Sequence, residues 1–299
     1  MISIFGGLRR ASNIGCWFFL ELNLLFIVMI SHKSKEKTKL SMLKYFFIQR
    51  ICSMIYFIRI MLISFEELKL ALFTLRISIK SGVAPFHSWV PALVEELQDY
   101  YIIVVILSLQ KILPFMILRF FHWRVFIGIL VLRSLLVGVS GRIGSNSWKK
   151  LISYGSIYGN SWIILSLSNF FFVIVYLIIQ LISLFCLSLY SKSNSRVNEW
   201  NSFSQETLYV KFFSLFTIAG IPPFSGFFWK LGLLTFSFYR VNFLLVFFTL
   251  VGSIYITYLY VRMFYVFCRV YTYETVFWAY SPRSSTFLFF MVAPNLFFI

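Results

Sequence analysis

The sequence predicts an all-α protein, a polytopic bundle of about ten transmembrane helices. Composition is the first indication: of 299 residues, 60% are hydrophobic and only 12% are charged, whereas soluble domains carry about 25% charged residues. Length is the second, because apolar runs of about 18 or more residues recur along the chain, and each can cross a bilayer core of roughly 30 Å. Pattern is the third: the runs are apolar on every face, unlike the alternating strands of a membrane barrel.

The predicted spans are joined by short polar connections, and only residues 191–206 form a long hydrophilic one. We therefore expect a single membrane domain over residues 1–299, without a soluble domain that could hold a flavin, a nucleotide or a cluster. In chain order, the predicted spans cover residues 14–30, 42–64, 68–93, 101–121, 123–140, 148–167, 170–190, 208–239, 241–266 and 285–299.

Two of these spans contain glycines and prolines that interrupt a helix. The interruptions predict two discontinuous helices, one between Gly82 and Pro91 and the other between Gly220 and Gly226. Irregular backbone at membrane depth is tolerated only where protein or a water-filled cavity satisfies the freed backbone groups. Broken helices in pairs are typical of ion pathways in transporters.

Four ionisable residues, Glu21, Lys80, Lys111 and Lys230, lie inside apolar runs. A charge at the bilayer centre costs roughly 2.5–3.5 kcal/mol on insertion scales, so such residues are expected to be paired, hydrated or functional. Burial favours the neutral amine of a lysine and a nearby carboxylate favours the charged one. We therefore predict a proton relay in which Glu21 modulates the protonation of Lys80, Lys111 passes the proton along the central axis and Lys230 leads towards an exit.

Each relay candidate also has a structural interpretation. Lys80 and Lys230 could anchor the ends of broken helices, Lys111 could extend towards an interface, and Glu21 could only neutralise a neighbouring lysine. Weaker relay candidates have more plausible structural roles, His87 as a cap of the broken helix and the others as membrane-end anchors. These weaker candidates are His87, Lys44, Lys149 and Lys150.

Several classes of protein are excluded by what the sequence lacks. The net charge of +17 comes from scattered basic residues rather than a basic face, so we expect no nucleic acid partner. The three histidines are too few and too peripheral for haem ligation. The four cysteines form no CxxC pair, so we predict no disulfide framework, iron–sulfur cluster or other metal site. Two hypotheses remain, an ion-translocating module and a structural membrane subunit whose polar residues fix helix packing.

Five stretches carry a family resemblance, in the expected order: FFLELNLL, IKSGVAPFHSWVP, LQKILP, WKKLISYGSI and IAGIPPFSGFFWK. Together they resemble the antiporter-like membrane subunits of mitochondrial NADH:ubiquinone oxidoreductase, respiratory complex I, and most closely the subunit 2 family. The resemblance maps that family's essential glutamate to Glu21 and its lysines to Lys80, Lys111 and Lys230.

The resemblance implies a proton-translocating subunit of an NADH:ubiquinone reductase in the mitochondrial inner membrane, surrounded by lipid and other membrane-arm subunits. FMN, iron–sulfur clusters and ubiquinone are then expected in other subunits, with no cofactor, redox site or soluble small-molecule substrate in this chain. The alternatives are a structural or assembly subunit and a stand-alone cation/proton antiporter-like transporter.

Three features depart from the family pattern. Bacterial relatives have about fourteen helices, so the resemblance implies that several N-terminal helices of the bacterial family are absent here. Glu21 lies unusually close to the N-terminus. Gly159 stands where the family often has a histidine, which leaves no histidine relay to be expected at that point.

Overall fold

The computed structural model of the protein describes residues 13–31, 36–61, 66–118, 124–145, 147–190, 205–238 and 243–271. Within these ranges the chain is helical apart from short connections, which confirms the all-α prediction. In chain order, the helices are α1 (Asn13–Ser31), α2 (Glu36–Met61), α3 (Glu66–Ser81), α4 (Trp89–Glu96), α5 (residues 100–118), α6 (Arg124–Ile143), α7 (Trp148–Leu165), α8 (Phe170–Tyr190), α9 (Gln205–Ala219), α10 (Ser225–Phe238) and α11 (Phe243–Tyr271).

Helix α5 has a change of winding in its middle. It consists of Tyr100–Val104, a π-helical turn over Val105–Leu109, and Gln110–Leu118. A π-helical turn accommodates one extra residue within an otherwise α-helical segment, and such turns are frequent at functional sites. Lys111 follows this turn directly, in the first turn of the last segment.

The described helices correspond to the first nine predicted spans, and the tenth prediction, residues 285–299, lies outside the described residues. Within the part of the chain that the structure describes, two helices are long and apolar enough to be complete membrane spans, over Phe171–Leu189 and Phe243–Arg262. Trp17–Ser31 and Tyr100–Phe115 are apolar but shorter.

Both predicted helix breaks are present, at residues 82–88 and 220–224. Each begins with a glycine in the left-handed region, Gly82 at φ +68° and Gly220 at φ +76°, a conformation that side chains with a Cβ disfavour. Each also contains a cis peptide bond before a proline. Both breaks are shorter than predicted. At the second, α10 begins at Ser225, before Gly226. At the first, Pro91 lies inside α4, in its first turn, where a proline is tolerated because its N–H would have no helical partner.

Helix α7 is the centre of the molecule, since nearly all of its side chains are buried. Helix α6 runs along it in close contact, because a methyl group at Gly138 would lie 2.8 Å from the backbone nitrogen of Tyr158. Helices α4 and α10 also pack against α7. Large apolar side chains are exposed on the outer helices, where a bilayer would surround them, for example Phe26, Phe47, Leu244 and Ile254.

Candidate functional site

The four predicted relay side chains are all buried. Their exposed fractions are 6% for Glu21, 7% for Lys80, 3% for Lys111 and 5% for Lys230. They come from four different helices, α1, α3, α5 and α10, and two of them, Lys111 and Lys230, contact α7. Burial of four ionisable groups is costly unless polar partners compensate for lost hydration.

Lys80 lies in the last turn of α3, next to helix α1. Its Nζ donates a long hydrogen bond of 3.5 Å to the carbonyl oxygen of Leu20, the residue before Glu21. The carboxylate of Glu21 forms its ion pair with Arg50 of α2, with 3.1 Å between Oε2 and Nη1. Glu21 also interacts electrostatically with Lys80. One buried carboxylate therefore faces a permanent cation and a lysine that can lose its proton.

A second permanent cation lies one turn before Lys80. The buried guanidinium of Arg76 stacks on the ring of Tyr56, with 3.8 Å between its central carbon and the ring centroid. Arg76 repels the ammonium form of Lys80, whereas Glu21 attracts it. The two neighbours therefore act in opposite directions on the protonation of Lys80.

Lys111 contacts α7 through two hydrogen bonds. Its Nζ donates to Oδ1 of Asn160 at 2.7 Å and to the carbonyl oxygen of Ser156 at 2.9 Å. The Nδ2 group of Asn160 donates in turn to the carbonyl oxygens of Ser81 and Gly82, at 3.3 and 3.4 Å. A single carboxamide thus connects the lysine of α5 to the helix break that follows Lys80.

Lys230 lies against the second break. Its Nζ donates to the carbonyl oxygens of Ile218, at 3.1 Å, and of Ala219, the last residues of α9. The same nitrogen is 5.6 Å from the ring centroid of Tyr158 and 5.5 Å from that of Trp162, both on α7. Carbonyls at a helix C-terminus carry partial negative charge, so they stabilise the ammonium form.

The weaker candidates lie apart from these lysines. Nδ1 of His87 is 3.1 Å from the carbonyl oxygen of Pro85, within the break itself. Lys44 and Lys150 form exposed ion pairs with the two glutamates at the end of α4, at 2.6 and 3.0 Å. Nζ of Lys149 donates to the carbonyl oxygen of Leu97. These contacts are typical of side chains that fix helix ends near a membrane surface.

Sequence reasoning did not find Arg50 or Asn160. Asn160 follows Ser156 by one turn, which is a signal for a polar stripe on α7. Arg50 gives no comparable signal, because it is one of several basic residues scattered along α2.

The described residues contain no group of three or more His, Cys, Asp or Glu side chains close enough to hold a metal ion. Cys52 and Cys186 are buried free thiols, and the side chains of Cys16 and Cys268 lie outside the described part of the structure.

The family model described as NADH:quinone oxidoreductase/Mrp antiporter, transmembrane region, matches residues 11–257 of the chain. Among curated proteins, NADH-ubiquinone oxidoreductase chain 2 of Anopheles gambiae is 30% identical over 247 residues, which cover 75% of this chain and 71% of that protein. The Artemia franciscana protein of the same name is 29% identical over 223 residues, covering 73% and 72% of the two chains. These matches confirm the predicted family resemblance.

The fold is similar to that of a chain in the solved structure of respiratory complex I from Thermus thermophilus with bound aureothin. The TM-score is 0.76 at 17% sequence identity, and the match covers 87% of this chain and 66% of that one. At this identity the likeness concerns the fold alone.

Proposed function

Because the chain belongs to the NADH:quinone oxidoreductase/Mrp antiporter family, and within it to the chain 2 subunits of NADH-ubiquinone oxidoreductase, we propose that it is a proton-translocating membrane-arm subunit of respiratory complex I. It works in the mitochondrial inner membrane, among other membrane-arm subunits and lipid. The redox chemistry, with FMN, iron–sulfur clusters and ubiquinone, belongs to other subunits, and this chain contributes the movement of protons.

The observation that carries the proposal is the contact chain from the first helix break to Lys111. The carbonyls of Ser81 and Gly82, the carboxamide of Asn160 and the amine of Lys111 follow one another within hydrogen-bond distance. Asn160 accepts the Lys111 hydrogen bond at 2.7 Å, so it stabilises the charged amine. Because the same carboxamide donates to the carbonyls of the break, a shift of the break changes the hydrogen bond to that amine. This geometry links backbone position to lysine protonation.

Glu21, which interacts with both Arg50 and Lys80, controls the protonation of Lys80. When Glu21 pairs with Arg50, its charge is partly neutralised and Lys80 loses part of its stabilising partner. When the carboxylate turns towards Lys80, the ammonium form is favoured. A small displacement of the Glu21 side chain therefore changes where the proton is held, without any change of covalent chemistry.

The decisive experiment is Lys111→Met in the assembled complex, reconstituted into sealed vesicles. We expect the number of protons pumped per NADH oxidised to fall by about tenfold or more, because the central proton acceptor is gone. The control is Lys39→Met, which removes an exposed lysine of α2. Normal pumping by a normally assembled Lys111→Met complex would overturn the proposal.

A further inference from the structure

Two glycines one turn apart leave a groove along α7. A methyl group at Gly155 would lie 2.6 Å from Nη2 of Arg142 and 3.5 Å from the hydroxyl oxygen of Tyr260. A methyl group at Gly159 would lie 3.2 Å from the hydroxyl oxygen of Tyr176. Polar groups from α6, α8 and α11 therefore occupy space that ordinary side chains of α7 would fill. We call this space the α7 groove; the groups in it belong to Arg142, Tyr176, Gln180 and Tyr260.

The α7 groove lies between the positions of Lys111 and Lys230. Successive residues of an α-helix are rotated by about 100°. The two residues that bind Lys111 follow Gly155 and Gly159 by one position, so they lie about 100° to one side. The two aromatic residues beside Lys230 follow the glycines by three positions, so they lie about 60° to the other side. The shortest way around α7 from one lysine to the other passes over the glycines.

Arg142 is a buried permanent cation in this groove, with only 3% of its surface exposed. Its guanidinium carbon lies 5.0 Å from the ring centroid of Tyr260 and 5.6 Å from that of Tyr158. Among the residues that the structure describes, its Nε, Nη1 and Nη2 atoms have no hydrogen-bond partner. Gly155 is two turns from the start of α7, so this guanidinium lies roughly 10 Å inside the helix end.

A further polar atom beside the groove lacks a partner. Oε1 of Gln180 is buried and accepts no hydrogen bond from any described residue. Buried polar groups are nearly always hydrogen-bonded, to protein or to ordered water. Several such groups around one groove make it a favourable place for water, which typically makes about three hydrogen bonds when buried.

The positive charge of Arg142 disfavours a proton that remains on Lys230. Arg142 and Lys230 lie beside the same Tyr158 ring, each 5.6 Å from its centroid. Arginine does not release its proton in proteins, so its repulsion acts only on the ammonium form of Lys230. The other ionisable groups around Arg142 are the phenols of Tyr158, Tyr176 and Tyr260, which provide no negative charge while they remain protonated.

We propose that the α7 groove is the route by which a proton passes between Lys111 and Lys230, and that Arg142 is the positioning residue that keeps the proton from resting on Lys230. This inference depends on the proposed function. The proton leaves Nζ of Lys111 and is bound by the neutral amine of Lys230. Each hydroxyl or water on the way accepts one proton and releases one, so these carriers are unchanged after the transfer.

The test compares Arg142→Met, Arg142→Lys and Arg133→Met in the assembled complex in vesicles. Arg142→Met removes the charge, and we expect protons pumped per NADH to fall by about tenfold, the size of effect that a repulsion across one phenol ring supplies. Arg142→Lys keeps the charge and is expected to restore most of the pumping, which a purely structural role would not predict. Arg133→Met removes an exposed arginine of the same helix and should pump normally.

A second variant keeps the inference testable if Arg142→Met does not assemble. Tyr176→Phe removes only the hydroxyl group beside Gly159, so it should assemble and lower pumping, whereas Gly144→Ala, at a position with open space, should not. Loss of pumping in Lys111→Met together with normal pumping in Arg142→Met or Tyr176→Phe would contradict the proposed route through the α7 groove and leave the proposed function intact. Normal pumping in Lys111→Met would overturn both.

Discussion

The two helix breaks share a backbone design and differ in their electrostatics. In both, a helix ends at a left-handed glycine, and a neighbouring N–H caps the last turn: Val83 donates to the carbonyl of Ser78 at 2.9 Å, and Ile221 to that of Phe216 at 3.2 Å. At the first break the remaining carbonyls accept from the carboxamides of other helices. At the second they accept from Lys230 itself.

Because of this difference, the first break can transmit a displacement to another helix, whereas the second binds an ammonium group. The first break is tied to α2 and α7 by Gln49 and Asn160, so its position is communicated to Lys111 on a third helix. The second break forms a local binding site for the ammonium group of the half-helix that follows it. The same interruption of a helix can therefore report a displacement or hold a charge, depending on whether a neutral amide or a lysine satisfies the carbonyls.

The largest effect is expected from cutting the link at the first break. Asn160→Leu removes one of the two hydrogen-bond acceptors of the Lys111 amine and the donor to the carbonyls of Ser81 and Gly82, which should destabilise the subunit by about 3 kcal/mol and stop most pumping. Thermal unfolding of the purified complex and proton flux in vesicles measure the two effects. Asn160→Asp keeps the acceptor for Lys111 and should retain more stability; equal losses in both variants would show that the hydrogen bond to Lys111 is not what matters.

A smaller effect should distinguish the two lysines beside the breaks. Lys230→Met removes the donor of two carbonyl hydrogen bonds and should cost about 2 kcal/mol. Lys80→Met removes only one long hydrogen bond together with a buried charge, so its stability should be unchanged or higher. Thermal midpoints of the two purified complexes test this order, and a reversed order would mean that the carbonyls of Ile218 and Ala219 do not depend on Lys230.

The smallest effect should come from the capping glycines. Alanine at Gly82 or Gly220 has to adopt a left-handed conformation, which costs roughly 1–2 kcal/mol at either position. The added methyl group would overlap an apolar side chain at the first break, 2.4 Å from Cγ2 of Val90, and a lysine at the second, 2.7 Å from Cδ of Lys230. We therefore expect similar losses of thermal stability, with the larger loss of pumping in Gly220→Ala, where the methyl group displaces the lysine itself. Equal pumping in both variants would contradict the binding role of the second break.

The fold and the buried lysines could be predicted from sequence because both depend on local chemistry. Glycine and proline interrupt a helix wherever they stand, and a lysine inside an apolar run is conspicuous without knowledge of its neighbours. The partners could not be predicted in this way. Asn160 contacts Gly82 across 78 positions, and the pairing of Glu21 with Arg50 depends on how α1 lies against α2. One sequence carries no direct signal for such contacts.

The limits of helix prediction are visible in α4 and α5. Pro91 suggested a longer break, yet it fits the first turn of α4, where no N–H is needed. The π-helical turn of α5 was not predicted, because its apolar residues would suit an ordinary α-helix equally well. Its formation depends on packing against α8 and the other helices around it.

The π-helical turn of α5 determines the side of the helix from which Lys111 projects. One surplus residue in residues 105–109 rotates everything beyond it by about 100° relative to an uninterrupted α-helix. With regular winding, the side chain of Lys111 would leave α5 on a different side and would not point at Ser156 and Asn160. The direction in which the central lysine points therefore depends on one extra backbone residue in the turn that precedes it.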